Sequence, residues 1–298
     1  MNIKNMKKIF CITCHKISVP LKLTTDYLSS FPENIIIIHV DKKTNIDPFK
    51  RNLSPGIIYL NDRVDITWGT VSQIKAFINL LKEAVNFNPD YIFMLSGDDL
   101  LCMTNKNINA TLRNIDYKNL IHYQDDRNPW IDPVIRVKYK YPDYFYARNA
   151  SVFCRAKKKL MLKFNLLNTN DAFFKYRHLI HSFYKGTNWF GINNKTLEKI
   201  IRFLNDNHWY YDMYRHSLCG DEVFFHTLLK HLNVTDIYHN TTMINDALRY
   251  IDWATGPEYP RMLNEKDIEQ IKKSGCIFAR KFSDDINQEH FSYLLSVD

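Results

Sequence analysis

Glycine is scarce in this 298-residue chain, with 8 residues, and proline adds only 10. Together with 45% apolar and 24% charged residues, that scarcity excludes collagen-like, low-complexity and disordered chains. Long apolar runs are missing too. Stretches such as Ile35–Ile38 fall far short of the ~18–20 residues that span a bilayer. Cysteines number only 6, at positions 11, 14, 102, 154, 219 and 276, without the rhythm of a disulfide framework, as expected for reduced thiols. The basic start Met1–Phe10 runs into His15 and Lys16 before an apolar signal core can form, and no small-residue cleavage site follows. A cytoplasmic protein is therefore expected, and the Asn-x-Ser triplets at Asn52 and Asn149 matter only in a secreted one.

Positive charge and aromatic rings are abundant. The net charge is +8, with 5 Trp, 18 Tyr and 19 Phe. An excess of cations points to a partly anionic partner: a phosphorylated metabolite, a lipid headgroup or nucleic acid. No helix-turn-helix, finger or single-strand platform pattern supports nucleic acid. Cys11-Ile-Thr-Cys14-His15 matches a haem-attachment string, but it lies in an alternating apolar run that reads as a first buried strand, and no second CxxC completes a zinc site. The histidine pairs 178/181 and 226/231 likewise lack zinc-site companions. Lys157-Lys-Lys159 beside Leu160–Leu162 reads as a solvated helix face, with peripheral contact to a membrane surface as the second reading.

Strand and helix patterns alternate in the first half. Ile9–Cys14 and Ile35–Val40 read as buried strands, Leu21–Leu28 as a helix, and Tyr91–Leu95 as a further strand ending in Ser96-Gly-Asp-Asp99. Thr70-Val-Ser-Gln73 predicts a capping box opening a helix through Val85. A mainly parallel sheet follows, with Asp41 and Asp98/Asp99 at strand ends where open α/β sheets bind ligands. In the second half, Arg136–Arg148 reads as strand and loop, and Lys157–Phe183 as helix plus connection. Trp189–Ile192 reads as a short strand, with a helix after Asn193/Asn194, a helix from Gly220/Asp221 and a capped helix over Asn264–Ser274. No repeat or linker interrupts the chain, so a single domain over 1–298 is expected, with a nucleotide-binding half to about 125 and an acceptor and catalytic half beyond.

Glu222 sits in the first turn of a predicted helix, where the macrodipole favours an anion able to take a proton from a hydroxyl. Arg280-Lys281, between apolar anchors, suits a diphosphate, and Arg261 is a further candidate. No two aspartates are separated by one residue, so the Asp-x-Asp of metal-dependent sugar transfer is absent and side chains would have to neutralise a leaving diphosphate.

In order, Cys14-His-Lys16, Ile38-His-Val-Asp-Lys-Lys43, Trp68-Gly69 with Ser72, Leu95-Ser-Gly-Asp-Asp-Leu100, Gly186-Thr-Asn-Trp-Phe190, Gly220-Asp-Glu-Val-Phe-Phe225, Leu248-Arg-Tyr-Ile-Asp-Trp253, Phe278-Ala-Arg-Lys-Phe282 and Asn287-Gln-Glu289 give the chain its resemblance. Over residues 7 to 290 it resembles the core-2/I-branching β-1,6-N-acetylglucosaminyltransferase and peptide O-xylosyltransferase family, glycosyltransferase family 14. The resemblance implies a GT-A-type α/β fold, a mixed and mainly parallel sheet flanked by helices, and inverting, metal-independent transfer from a UDP-sugar. It implies His15, Asp41, Trp68 and Asp99 on the nucleotide and donor, Trp189 and Asp221 in the acceptor or sugar pocket, Glu222 as base and Arg280, Lys281 and Arg261 on the diphosphate.

GlcNAc or xylose is the implied sugar, a glycan or lipid-linked oligosaccharide the acceptor, with no cofactor and no metal. The family's aromatic-Pro after the donor-site Asp is replaced by Leu100-Leu101, and the anchor, stem and disulfide pattern of the animal enzymes are not expected here. This resembles a bacterial member working in the cytoplasm or at the inner face of its membrane. A metal-dependent or retaining transferase, and a silent glycan-binding protein, are the alternatives.

Overall fold

The near-continuous apolar runs become the centre of a sheet. The computed structural model describes residues 6–147, 151–256 and 260–296, so Asn149 and the middle of the Gly256–Arg261 stretch lie outside the described residues. Its strands are β1 (Lys8–Cys14), β2 (Asn34–Val40), β3 (Ile58–Tyr59), β4 (Tyr91–Ser96), β5 (Leu100–Leu101), β6 (Gly191–Asn193), β7 (Arg249–Ile251) and β8 (Phe278–Arg280). The main sheet has the order β3-β2-β1-β4-β6, and a smaller one the order β5-β8-β7. β1 runs parallel to both β2 and β4, with Ile9 opposite Ile35 and Ile92 and Thr13 opposite His39 and Ser96. That register brings the carboxyl ends of three strands to one edge. β6 is antiparallel to β4, so the sheet is mixed and mainly parallel.

Side chains alternate across this sheet because strand residues point to opposite faces in turn. Phe10, Ile12, Ile36, Ile38, Phe93 and Leu95 pack on one side with Leu21, Leu28 and Phe278. Ile9, Cys11, Ile37, Ile92 and Met94 pack on the other with Ile74, Phe77, Leu81, Phe224 and Phe225. Helices Val19–Ser29 and Val71–Val85 cover the two faces, as the periodicity predicts. Later strands complete what earlier ones begin: Gly191 pairs with Phe93, and Ala279 with Leu100. The fold is thus the expected α/β sheet flanked by helices.

Two local expectations are corrected. Thr70 does cap its helix, accepting from Ser72 N–H at 3.3 Å, but Gln73 accepts from Gly69 N–H and so leaves the capping box unclosed. Among its described residues the Arg136–Arg148 region holds the end of helix Pro133–Lys138 and a 3₁₀ turn Asp143–Phe145, not a strand. Pro133 at the first helical position and Asp132 as cap, accepting from Val134 N–H at 2.9 Å, start that helix. The Asn264 capping box is present, with Asp267 as its reciprocal partner.

Candidate active site

Three strand ends supply one wall. The Asp41 N–H donates to Cys14 O at 2.8 Å, tying the exit of β2 to that of β1. The Asp41 carboxylate accepts from Lys43 N–H at 2.9 Å and stands 3.5 Å from Lys43 Nζ. His15 is exposed just beyond β1. Gly97 N–H reaches back to Thr13 O at 2.9 Å, and a Cβ at Gly97 would come within 2.8 Å of Cys14 Cβ, so only glycine allows this close crossing.

Below that wall lies a buried charge cluster. The Asp99 carboxylate, expected to hold the donor sugar, has no exposed side-chain surface. One oxygen accepts from Ser96 N–H; the other stands 3.1 Å from Arg249 Nη1 and 3.4 Å from Arg280 Nη1. Asp99 is thus placed to orient the two guanidinium groups beside it. The reason is chemical: a buried carboxylate needs charge partners and hydrogen bonds, and the chain supplies both. Arg280 also donates to Ser96 Oγ and lays its guanidinium over the Trp189 ring, 4.3 Å from the centroid. Trp189 in turn leans on Phe77, with ring centroids 5.3 Å apart. Lys281 Nζ sits 3.2 Å from Asp98. Arg261 does not join them: it is held by Asp252 at 2.7 Å and Asp267 at 2.6 Å, so its charge is already met by two carboxylates.

Glu222 opens the Asp221–His231 helix on the far side of the Gly186–Phe190 segment. Its side chain is 29% exposed, with Lys185 Nζ at 3.1 Å and Arg136 Nη2 at 3.8 Å. Two contacts fix the segment to the helix. Gly186 N–H donates to Glu222 O at 2.9 Å, and Asn188 donates its amide to Asp221. A Cβ at Gly186 would fall 2.0 Å from His122 O, so that contact too demands glycine. Cys219 N–H donates to Gly69 O at 2.7 Å, which brings the Trp68–Gly69 turn beside the same helix start; Trp68 is exposed there. The 185–189 segment thus has Arg280 over its tryptophan and Glu222 hydrogen-bonded at its beginning.

Asp221, expected in the acceptor or sugar pocket, is buried and turned toward Asn188. Burial, reinforced by the neighbouring Glu222 charge, pushes its carboxyl up to about 7. The folded value lies above the ~3.9 of an unfolded chain, so the stability linked to this proton is complete below about pH 4 and is lost as pH rises through about 7. Asp221→Asn removes that dependence. Unfolding by denaturant at pH 5 and pH 8 should show the variant gaining about 2–3 kcal/mol on the parent between the two; parallel stabilities would refute the assignment.

His122, Asp125 and Asp246 bring potential metal-ligand atoms within 4.8 Å of one another. Arg127 already serves that group, with Nη2 2.6 Å from Asp125 and 2.8 Å from Asp246. Burial pushes Asp246 up, but hydrogen bonds from His122, Arg127, Asn240 and His239 outweigh it and hold the carboxyl well below its usual range. A guanidinium in place is a poor host for a cation. The buried CxxC behaves similarly: burial raises both Cys11 and Cys14, away from thiolate chemistry.

Arg249, Lys185, Arg136 and Asn188 were not assigned roles from the sequence. Arg249 was visible as the only charge in the apolar string Leu248-Arg-Tyr-Ile, and a cation in a buried strand needs a buried anion. Lys185 and Arg136 gave no local signal, because their carboxylate is remote in sequence.

A search of curated proteins finds no match. Among solved structures, a protein assigned as a glucose-1-phosphate thymidylyltransferase from Bacillus anthracis, in complex with sucrose, is 13% identical, with 77% of this chain and 85% of that chain covered at TM-score 0.37. A mannose-1-phosphate geranyltransferase from Thermus thermophilus is 12% identical, covering 74% of this chain and 68% of that chain at TM-score 0.33. The family model described as core-2/I-branching enzyme matches residues 9–274. With residues 9–274 matched, the protein belongs to the core-2/I-branching enzyme family and is a glycosyltransferase, acting with a sugar-nucleotide donor and a glycan acceptor.

Proposed function

We propose an inverting, metal-independent transfer from a UDP-sugar, GlcNAc or xylose, to a glycan hydroxyl. The observation that carries this reading is that one short segment meets both groups: Lys185 Nζ stands 3.1 Å from the partly exposed Glu222 carboxylate, and the Arg280 guanidinium stacks on Trp189. In a single in-line displacement the acceptor oxygen bonds to the anomeric carbon as the bond to the diphosphate breaks. The hydroxyl proton passes to Glu222, and the charge released on UDP is met by Arg280 and Lys281. Asp99, itself paired with Arg249, acts one layer below, holding Arg280 in place. His15 and Asp41 lie on the strand-end side, where the uridine would sit, and Trp68 stands beside the start of the Glu222 helix, toward the donor sugar.

Side-chain cations at the leaving group make a divalent ion unnecessary. Turnover with UDP-GlcNAc or UDP-xylose in EDTA should match turnover with Mn²⁺, and NMR of the product should show a β-linkage from the α-linked donor. Strict Mn²⁺ dependence would transfer the diphosphate role to Asp98, and an α-linked product would end the inverting reading.

A further inference from the structure

Helix Val152–Lys163 has no buried residue. Its inner side rests on a small aromatic cluster: Met161 accepts from the Tyr144 hydroxyl, Lys158 Nζ donates to Phe145 O at 3.1 Å, and Lys157 lies over the Tyr144 ring at 4.7 Å. Away from those contacts, Phe153, Ala156, Leu160 and Phe164 recur at spacings of three and four, which aligns them on one stripe. Phe153 is 82% exposed, Leu160 53% and Phe164 58%, and Leu166 continues the apolar surface. Three large apolar side chains open to water along one helix are far from the scattered exposure of ordinary surfaces. Lys159 and Lys163 flank the stripe, and no acidic residue occurs from Ser151 through Asn170.

We infer that the 151–166 segment lies on an anionic lipid bilayer, with the stripe in the interface and the lysines at the headgroups. An apolar face bordered only by cations complements a surface that is apolar beneath and negative above. The segment is also close to the chemistry. The Tyr146 hydroxyl donates to Ser217 O at 3.3 Å, Leu218 N–H donates to Arg136 O at 3.0 Å, and Arg136 stands 3.8 Å from Glu222. This deepens the transferase reading, on which it rests for its consequence: the acceptor is a lipid-linked glycan delivered to Glu222 from the bilayer.

Co-sedimentation of the full chain with vesicles tests it. The protein should bind phosphatidylcholine vesicles containing phosphatidylglycerol and much less those of phosphatidylcholine alone. Phe153→Asp with Leu160→Asp should weaken binding at least ~10-fold, and Lys159→Gln with Lys163→Gln roughly 30-fold on the anionic vesicles only. Both variants should keep the parent's thermal midpoint and its turnover on a water-soluble acceptor, so loss of that turnover in the parent would count against the transferase reading alone. Absence of vesicle binding, equal binding by the variants, or self-association of the parent that the Asp variant abolishes without vesicle binding would each overturn the inference.

Discussion

Glu222→Gln should lower sugar transfer by about 10²–10⁴-fold while leaving UDP binding nearly intact. Glutamine keeps the volume and the acceptor oxygen of the side chain but cannot take the hydroxyl proton. The residue stands apart from the Arg280–Lys281 cations, so donor binding should survive, and the loss should fall on kcat with KM for the donor little changed. Lys185 and Arg136 lose their counter-charge in this variant, but all three side chains reach solvent and the fold should hold. Steady-state rates with binding measured separately decide the matter, and near-normal turnover would remove Glu222 from the chemistry.

Asp99→Ala should be the most destabilising single change in the site, at about 3–5 kcal/mol, because it leaves Arg249 buried without its anion. Arg249 has no route to water: it donates to Met94 O at 3.1 Å and lies 5.0 Å from the centre of the Phe278 ring. Burial already pulls this guanidinium below its ordinary range, with Asp99 opposing the shift. A paired variant, Asp99→Leu with Arg249→Met, replaces the ion pair with apolar volume and should recover much of the stability. It should not recover activity, since Arg280 keeps Ser96 and Trp189 but loses the carboxylate that fixes its charge. Denaturant unfolding and turnover of the two variants separate these roles. Restoration of both by the paired variant would show that Asp99 serves the fold alone.

The sequence was most informative where a pattern is local. Apolar runs at Ile9–Cys14, Ile35–Val40 and Tyr91–Leu95 gave the central strands almost to the residue, and Asn193 and Asn264 marked two helix starts correctly. Short elements were harder. β7 has only three residues, too few for a period to show, and helix Pro133–Lys138 has six in a stretch rich in basic and aromatic side chains. Within the site, Glu222, Arg280, Lys281 and Trp189 were nameable from their strings, but what each one touches was not. Asp99 and Arg249 meet across 150 positions, and nothing in either string says that Asp99 faces inward while Asp98 faces Lys281. Arg261 shows the converse: as the cation ending the Gly256–Arg261 string it looked available, and only the fold reveals the two carboxylates that occupy it.

The unequal placement of the thiols has a practical consequence. Cys11, Cys14, Cys102, Cys219 and Cys276 are buried, whereas Cys154 is partly open and lies on the Val152–Lys163 helix. Native chemistry thus offers a built-in attachment point for a polarity-sensitive dye on the very segment inferred to meet lipid, without any engineered cysteine, and the folded chain would carry its own reporter of adsorption.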